Sequence, residues 1–365
     1  MKPMALRVIF AGGGSAGHIE PALAVAEALQ ARDPKISCEF LGVLGGLESL
    51  LIPKRGYRIH YIPKASFPRK LSHKMILFPF LLLQAILKSR AIIKRADLVI
   101  GFGGYVSTPA YLAAWSQKVP IMIHEANAKP GLANRLGRRF AKVIAVNFKG
   151  VAEQWPGSVL TGMPIRQSLN NLAELADKSG FRALNCKSLG FDPNRPVVAV
   201  FGGSLGSAHI NSVIEEFLAK YQDRYQEVQI IHALGINNEL PKANSSYLPQ
   251  PYFHDMASIY ASADLLITRS GAVTCSELAS LGKYSILIPL PHGNGEQFDN
   301  AAALVAQGSA MMVANDDFSS MWLDQNLSKA LINAANYQPE SIGSNSESAM
   351  KIAELAHDLL KERAE

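Results

Sequence analysis

The sequence predicts an α/β protein made of two similar, doubly wound domains in tandem, each a parallel sheet covered by helices on both faces. Three observations carry this. Apolar, strand-like runs alternate along the whole chain with Gly-rich turns and helical stretches, the pattern of repeated βαβ units. The opening stretch Val8-Ile9-Phe10, followed by Gly12-Gly13-Gly14-Ser15-Ala16-Gly17-His18, is echoed at Val197–Phe201 by Gly202-Gly203-Ser204-Leu205-Gly206-Ser207, an internal repeat. The length of 365 residues fits about two domains of roughly 150 to 200 residues. The expected division is a first domain over 1–166, a polar, irregular linker over 167–195, a second domain over 196–340 and a helical tail over 341–365.

The elements follow in order. The first apolar run is too short for a signal-peptide core and reads as a strand; after the glycines, residues 22–29 read as a helix. Strands are expected at 36–41 and 57–62, then at 97–100, 120–125 and 142–146, with a further Gly-rich turn at 101–107 and a helix at 109–115. The second domain repeats the scheme with strands at 197–201 and 228–233, helices at 211–220 and 257–261, and the segment 264–277 running from strand through turn into helix. Backbone N–H groups at a helix start lack intrahelical partners and sit at the positive end of the macrodipole, so each turn is a candidate phosphate cradle.

Composition excludes several classes. A hydrophobic content of 48% with 18% charged residues argues against disorder. Three cysteines far apart, with no CxxC or Cys/His pairing, give neither a disulfide framework nor a zinc site. No DxD sequence occurs, so a metal is not suggested; no other cofactor and no nucleic-acid partner is expected either. The net charge is +6, and between Glu48 and Asp97 there is no acidic residue but eleven Lys and Arg, a one-signed stretch that attracts an anionic surface. Within it lies an apolar run over 75–87, about thirteen residues interrupted by Pro79, against about 20 needed to cross a bilayer. It is not expected to span. The plainer reading is a core helix. The acid-free flank favours an interfacial segment in which Ile76, Leu77, Phe80 and Leu81 meet lipid and Lys70 and Lys74 meet anionic headgroups.

Gly12 to Gly17 satisfies GxGxxG, but that pattern alone is weak evidence for a dinucleotide enzyme, and Glu39, at about the right spacing for a ribose ligand, lies inside its strand rather than at the end. There is no GxxxxGK[ST] loop. A better ribose ligand is Glu277, three residues after Thr274; the pair reads either as a capping box or as a carboxylate presented to a ribose diol. General acid–base work needs a group that can take a proton at working pH. His18 is the candidate base, since an imidazole titrates near working pH, and Glu125 is the alternative; each also reads as a purely structural hydrogen-bonding group.

Taken together, the motif at 12–18, Gly101-Phe102-Gly103-Gly104-Tyr105, His124-Glu125-Ala126-Asn127 with Pro130-Gly131 and Asn134-Arg135, Gly202-Gly203-Ser204, Arg269-Ser270-Gly271-Ala272 with Thr274 and Glu277, and Gln297 with Asn300-Ala301 resemble the MurG family of bacterial cell-wall glycosyltransferases. These add N-acetylglucosamine (GlcNAc) to undecaprenyl-pyrophosphoryl-MurNAc-pentapeptide (lipid I), giving lipid II. The resemblance implies a GT-B fold, two Rossmann-like domains facing across a cleft, with the C-terminal helix crossing back to the first domain. It implies an enzyme on the cytoplasmic face of the plasma membrane, peripherally bound, with UDP-GlcNAc as donor. Glu277 would hold the ribose, Phe253 the uracil through its backbone, and Ser204 with Ala272, Val273, Thr274, Cys275 and Ser276 the diphosphate, offset by Arg166. Ser15, Ala16, Gly17 and Asn127 would reach the donor from the first domain, and Gln297 the sugar hydroxyls. The chain departs from the family in having Ser15 for Thr, Ala16 for Gly, Met163 for Asn and Glu296 for Gln. A UDP-GlcNAc 2-epimerase of the same architecture and a non-catalytic nucleotide-sugar sensor are the other readings.

Overall fold

The computed structural model describes residues 6–67, 74–291, 294–339 and 345–364. These form two compact units, one comprising residues 1–166 with 345–365 and the other residues 167–344.

The first unit runs β1 (Arg7–Gly12), α1 (Ala16–Arg32), β2 (Ser37–Gly42), α2 (Glu48–Lys54), β3 (Arg58–Tyr61), α3 (Lys74–Ile93), β4 (Leu98–Gly103), α4 (Ser107–Ser116), β5 (Ile121–Glu125), α5 (Leu132–Gly137), β6 (Val143–Val146), α6 (Lys149–Gln154) and β7 (Val159–Leu160). Its seven strands are all parallel in the order β3-β2-β1-β4-β5-β6-β7. Because side chains alternate across a strand, the continuous apolar run of β1 feeds two cores. Val8 and Phe10 pack on one face with α1, Ile9 and Ala11 on the other with α3 and α4. The Phe10 ring stacks on Phe40, centroids 5.0 Å apart. Between Ala11 and Gly12 the pairing with β4 slips by a residue, a bulge that re-aims the chain where the first turn begins.

The second unit opens with α7 (Gln167–Glu174) and α8 (Lys178–Ser188), then β8 (Val197–Phe201), α9 (Ala208–Tyr221), β9 (Gln229–Ala233), β10 (Tyr247–Gln250), α10 (Met256–Ser262), β11 (Leu265–Thr268), α11 (Ala272–Leu281), β12 (Ser285–Leu287), α12 (Glu296–Ala306), β13 (Ala310–Met312) and α13 (Ser320–Asn336). Its sheet has six strands, one fewer, and repeats the order of the first six, β10-β9-β8-β11-β12-β13, all parallel. A last helix, α14 (Ser348–Ala364), lies in the first unit against α1.

Three expectations are corrected here. Residues 167–195 are not an irregular linker: α7 and α8 bury Leu169, Leu172, Ala173 and Cys186, and Arg182 clamps Asp264 through Nε at 3.0 Å and Nη2 at 2.6 Å, which makes the segment part of the second unit. Helix α1 begins at Ala16 rather than near 22, because a proline within the first turns removes only one i→i−4 bond; His18 therefore lies in the first turn of a helix. By the same logic Pro79 does not break α3. That helix is 20 residues long, and by length and composition alone could cross a membrane. It is instead a crossover between β3 and β4, with Ala85 and Ile93 buried against the sheet face that α4 also covers.

Candidate active site

The residues singled out in the first unit gather at the carboxyl ends of its strands, where ligands bind in open α/β sheets. Ser15 is the N-cap of α1, and its Oγ lies 3.2 Å from His18 Nδ1. The imidazole rests on the turn after β4. A Cβ on Gly103 would stand 3.2 Å from His18 Cδ2 and Nε2, and one on Gly104 would collide with the Gly13 carbonyl. Both glycines have φ values, +94° and +80°, that side-chain-bearing residues rarely adopt. The Ser15 hydroxyl can donate to Nδ1 or accept from it, so it holds the ring in either tautomer.

Glu125, the alternative base, sits otherwise. It is 1% exposed, and its two oxygens accept from the Asn127 amide (2.9 Å), Asn127 Nδ2 (3.2 Å), the Gly131 amide (3.1 Å) and Asn134 Nδ2 (3.0 Å). Burial raises its pKa, and these N–H groups pull the other way. This is a carboxylate that shapes the 126–134 loop, and Asn127 is tied into the same knot. Arg166 Nε lies 3.1 Å from Glu20 Oε2, so part of its charge is met within the unit.

One residue of this region was not singled out by sequence reasoning. Glu48 is fully buried; its Oε2 accepts from the Gly14 amide at 3.2 Å, and its Oε1 from the Val43 amide at 3.1 Å and Tyr105 Oη at 2.9 Å. The first Gly-rich turn, expected to cradle phosphate, already directs an amide at an internal carboxylate. The only sequence signal was an acid in a Gly-rich turn at the edge of the acid-free stretch.

In the second unit, the turn after β8 carries Ser204, half-buried, and the turn after β11 leads into α11. The helix is capped by Gly271 without a side-chain hydrogen bond, so Thr274 is not an N-cap and the capping-box reading of Thr274 and Glu277 falls. Glu277 is 3% exposed, and its Oε2 accepts from Tyr260 Oη at 2.8 Å. Ala272, Cys275 and Ser276 are buried, while Val273 and Thr274 are half-buried; burial pushes the Cys275 thiol up to about 12, leaving it unreactive. Phe253 is buried edge-on to Phe201, so a ligand there would meet its backbone. Gln297 accepts from the Leu290 amide through Oε1 and from Ser270 Oγ through its carbonyl.

Arg269, which opens the motif at 269–277 but was given no role of its own, binds these turns together. Its Nη2 donates to Ser207 Oγ at 2.8 Å and its Nη1 to the Ile288 carbonyl at 3.1 Å. Only 8% exposed, it has no carboxylate partner among the described residues, and its Nε has no acceptor; burial lowers its pKa. The second unit thus offers an uncompensated cation at its turn.

Along α3, Ile76, Leu77, Phe80 and Leu81 are exposed, joined by Leu83 and Leu87. The core-helix reading therefore fits only the inner side. Lys70 and the side chain of Lys74 lie outside the described residues. No group of three or more His, Cys, Asp or Glu able to hold a metal occurs among the described residues.

Comparison with known proteins bears on this arrangement. Residues 8–146 match the glycosyltransferase family 28 N-terminal domain, and residues 197–356 its C-terminal domain. The chain is 40% identical over 357 residues, 97% of this chain and 96% of the relative, to the UDP-N-acetylglucosamine–N-acetylmuramyl-(pentapeptide) pyrophosphoryl-undecaprenol N-acetylglucosamine transferase of Corynebacterium diphtheriae. Among solved structures it resembles Acinetobacter baumannii MurG, with a TM-score of 0.67 and 27% identity over 97% of this chain and 99% of that one. A UDP-N-acetylglucosamine 2-epimerase shares the fold at 13% identity and a TM-score of 0.63, covering 99% and 98% of the two chains; at that identity the likeness speaks for the fold alone.

Proposed function

The chain belongs to glycosyltransferase family 28, within it to the MurG family, and on that premise we propose that it moves GlcNAc from UDP-GlcNAc to the C4 hydroxyl of MurNAc in undecaprenyl-pyrophosphoryl-MurNAc-pentapeptide, with inversion, in peptidoglycan synthesis. The observation that carries the reading is the 40% identity over nearly the full length of both chains to a transferase of that name.

The geometry supports a division of labour. In the second unit the donor's ribose diol meets Glu277, whose second oxygen is braced by Tyr260, and its uracil meets the backbone at Phe253. The diphosphate lies against Ser204 and the start of α11, where helix amides and the guanidinium of Arg269 supply the positive potential that the leaving UDP needs. Gln297 reaches the sugar. In the first unit, His18 Nε2 takes the proton of the attacking hydroxyl while Ser15 holds the ring; Ala16, Gly17, Asn127 and Arg166 complete that side. No metal is called for in this scheme.

The acceptor is lipid-linked, which fits the exposed apolar side of α3 and its acid-free, basic surroundings. We read α3 as lying in the interface of an anionic membrane, on its cytoplasmic face, with Ile76, Leu77, Phe80, Leu81, Lys70 and Lys74 as the contact. Incubation with UDP-GlcNAc and a lipid I analogue tests the whole: lipid-linked disaccharide plus UDP is the expected product. Formation of N-acetylmannosamine would mark an epimerase, and binding without turnover a sensor.

A further inference from the structure

We infer that Glu20 is a positioning residue: its buried carboxylate, on the helix that carries His18, fixes the direction of the Arg166 guanidinium for the donor. The inference rests on the reading above, in which Arg166 is the first unit's charged contact with UDP-GlcNAc, and deepens it by naming what holds that contact in place. Glu20 lies on α1, two residues past His18, and is buried although it is a carboxylate. A buried charge is tolerated only with a partner close by. Glu20 Oε2 has two, Arg166 Nε at 3.1 Å and Arg55 Nη2 at 3.6 Å. Arg55 is shared with a second acid, its Nη1 lying 2.8 Å from Glu27 Oε1, so Arg166 is the nearer partner of Glu20. The backbone leading to Arg166 is anchored as well. Met163 and Ile165 are buried, and the Met163 amide donates to Asn345 Oδ1 at 3.0 Å. Arg166 is thus the end of a fixed leg, the last residue of the first unit in its run from the N-terminus, with its side chain steered by one carboxylate.

A long arginine side chain has much rotamer freedom to lose, and a group already held in its working direction loses less of it when a ligand arrives. The guanidinium is a planar fork, so a contact at Nε constrains where the two terminal nitrogens point. Glu20 therefore acts on the donor through Arg166 and not by touching it. It also ties that cation to the same helix whose start bears Ser15 and His18, so base and cation are set by one rigid element. A neutral residue at position 20 would leave two guanidinium groups, those of Arg55 and Arg166, around a site without an anion. Like charges would then turn Arg166 out of its direction.

A double-mutant cycle on the full chain tests this, with wild type, Glu20→Gln, Arg166→Met and the two together. The measurements are KM for UDP-GlcNAc and kcat with a lipid I analogue, and UDP affinity by calorimetry. Glu20→Gln is expected to raise KM for UDP-GlcNAc and weaken UDP by roughly three- to tenfold, with kcat within about twofold, the mark of binding common to ground and transition states. In the Arg166→Met background the same substitution is expected to change neither. Glu20→Asp, which keeps the charge with a shorter reach, is expected to recover part of the loss. Effects of Glu20→Gln and Arg166→Met that simply add overturn the inference. So does a Glu20→Gln variant whose thermal midpoint falls while KM, kcat and UDP affinity stay at wild type, the behaviour of a merely structural ion pair. Tighter UDP binding in Glu20→Gln overturns it too, since the carboxylate would then only screen the cation. If Glu20→Gln fails to fold, Glu20→Asp carries the cycle. An Arg166→Met variant with unchanged KM and UDP affinity would instead sink the reading of Arg166 as a donor contact, and the inference with it.

Discussion

The turns after β1 and β8 occupy the same place in two sheets of the same strand order, yet one is backed by the buried carboxylate of Glu48 and the other by the buried guanidinium of Arg269. Backbone shape is common to both; the sign of the charge beneath it is not. Duplication of a βαβ scaffold gives two turns of one backbone plan, and the buried side chains behind them carry opposite charge. The lesson for Gly-rich motifs is that the glycines report a permitted backbone path, while the charge behind that path is set by residues far along the chain.

The sharpest way to break the comparison is at the chemistry. His18→Ala is expected to lower kcat by about 10²–10⁴ while leaving UDP affinity nearly intact, since nearly all the contacts proposed for the uridine diphosphate itself lie in the second unit; a parallel loss of UDP affinity would erase the division. Glu125→Gln should lower stability together with kcat, because its amide NH2 would face N–H groups that now donate to the carboxylate.

Acid should weaken both units alike. His124 in the first and His232 in the second are buried and neutral, each held down to about 4 by desolvation, with the bond to the Gly162 carbonyl partly offsetting this for His124. An unfolded histidine takes its proton near 6.5 and these do not, so stability falls as pH drops from about 6.5 toward 4, by up to roughly 3 kcal/mol per residue. Denaturant midpoints at pH 7 and 4.5 would show it. A slope carried by one unit only would mean that one of the two rings is not buried.

The donor side follows. Glu277→Ala removes a charged hydrogen-bond partner worth about 1.5–3 kcal/mol and should weaken UDP roughly 10- to 100-fold by calorimetry. Arg269→Met, which keeps the stem but not the charge, should weaken it about tenfold, with the salt dependence of binding reduced. An effect of the same order, on membrane binding rather than on UDP, is expected at α3. Leu77→Gln together with Leu81→Gln should loosen binding to anionic liposomes by about 1 kcal/mol per side chain, with no change in thermal midpoint. Loss of the fold would show instead that these side chains are core.

Much of this architecture was legible from residues alone. Strands buried on both faces must read as unbroken apolar runs, so β1, β4, β5 and β8 stand out, and the echo of one Gly-rich turn in the other gives the duplication away. What escaped was short or conditional. Strands β10 and β13, of four and three residues, are defined by their neighbours in the sheet rather than by their own pattern. Helices α7 and α8 are polar on one side, and their apolar residues are spaced for a partner surface that only tertiary structure supplies. Glu48 and Arg269 are single charged letters; their meaning lies in burial and in the partner each lacks, neither of which is written locally.

The helix α14 has a consequence for how the chain is made. Ile352, Ala353, Ala356, Leu359 and Leu360 belong to the core shared with Val8, Phe10 and Leu23, and Arg363 Nη1 donates to the carbonyls of Ala96 and Asp97. The half synthesised first is thus completed last. A chain truncated after residue 344 has every residue of the second unit but still exposes an apolar face of the first. Protease should accordingly spare 167–344 of that truncated chain and cut within 1–166, so that the half made first is the one that waits for the end of translation.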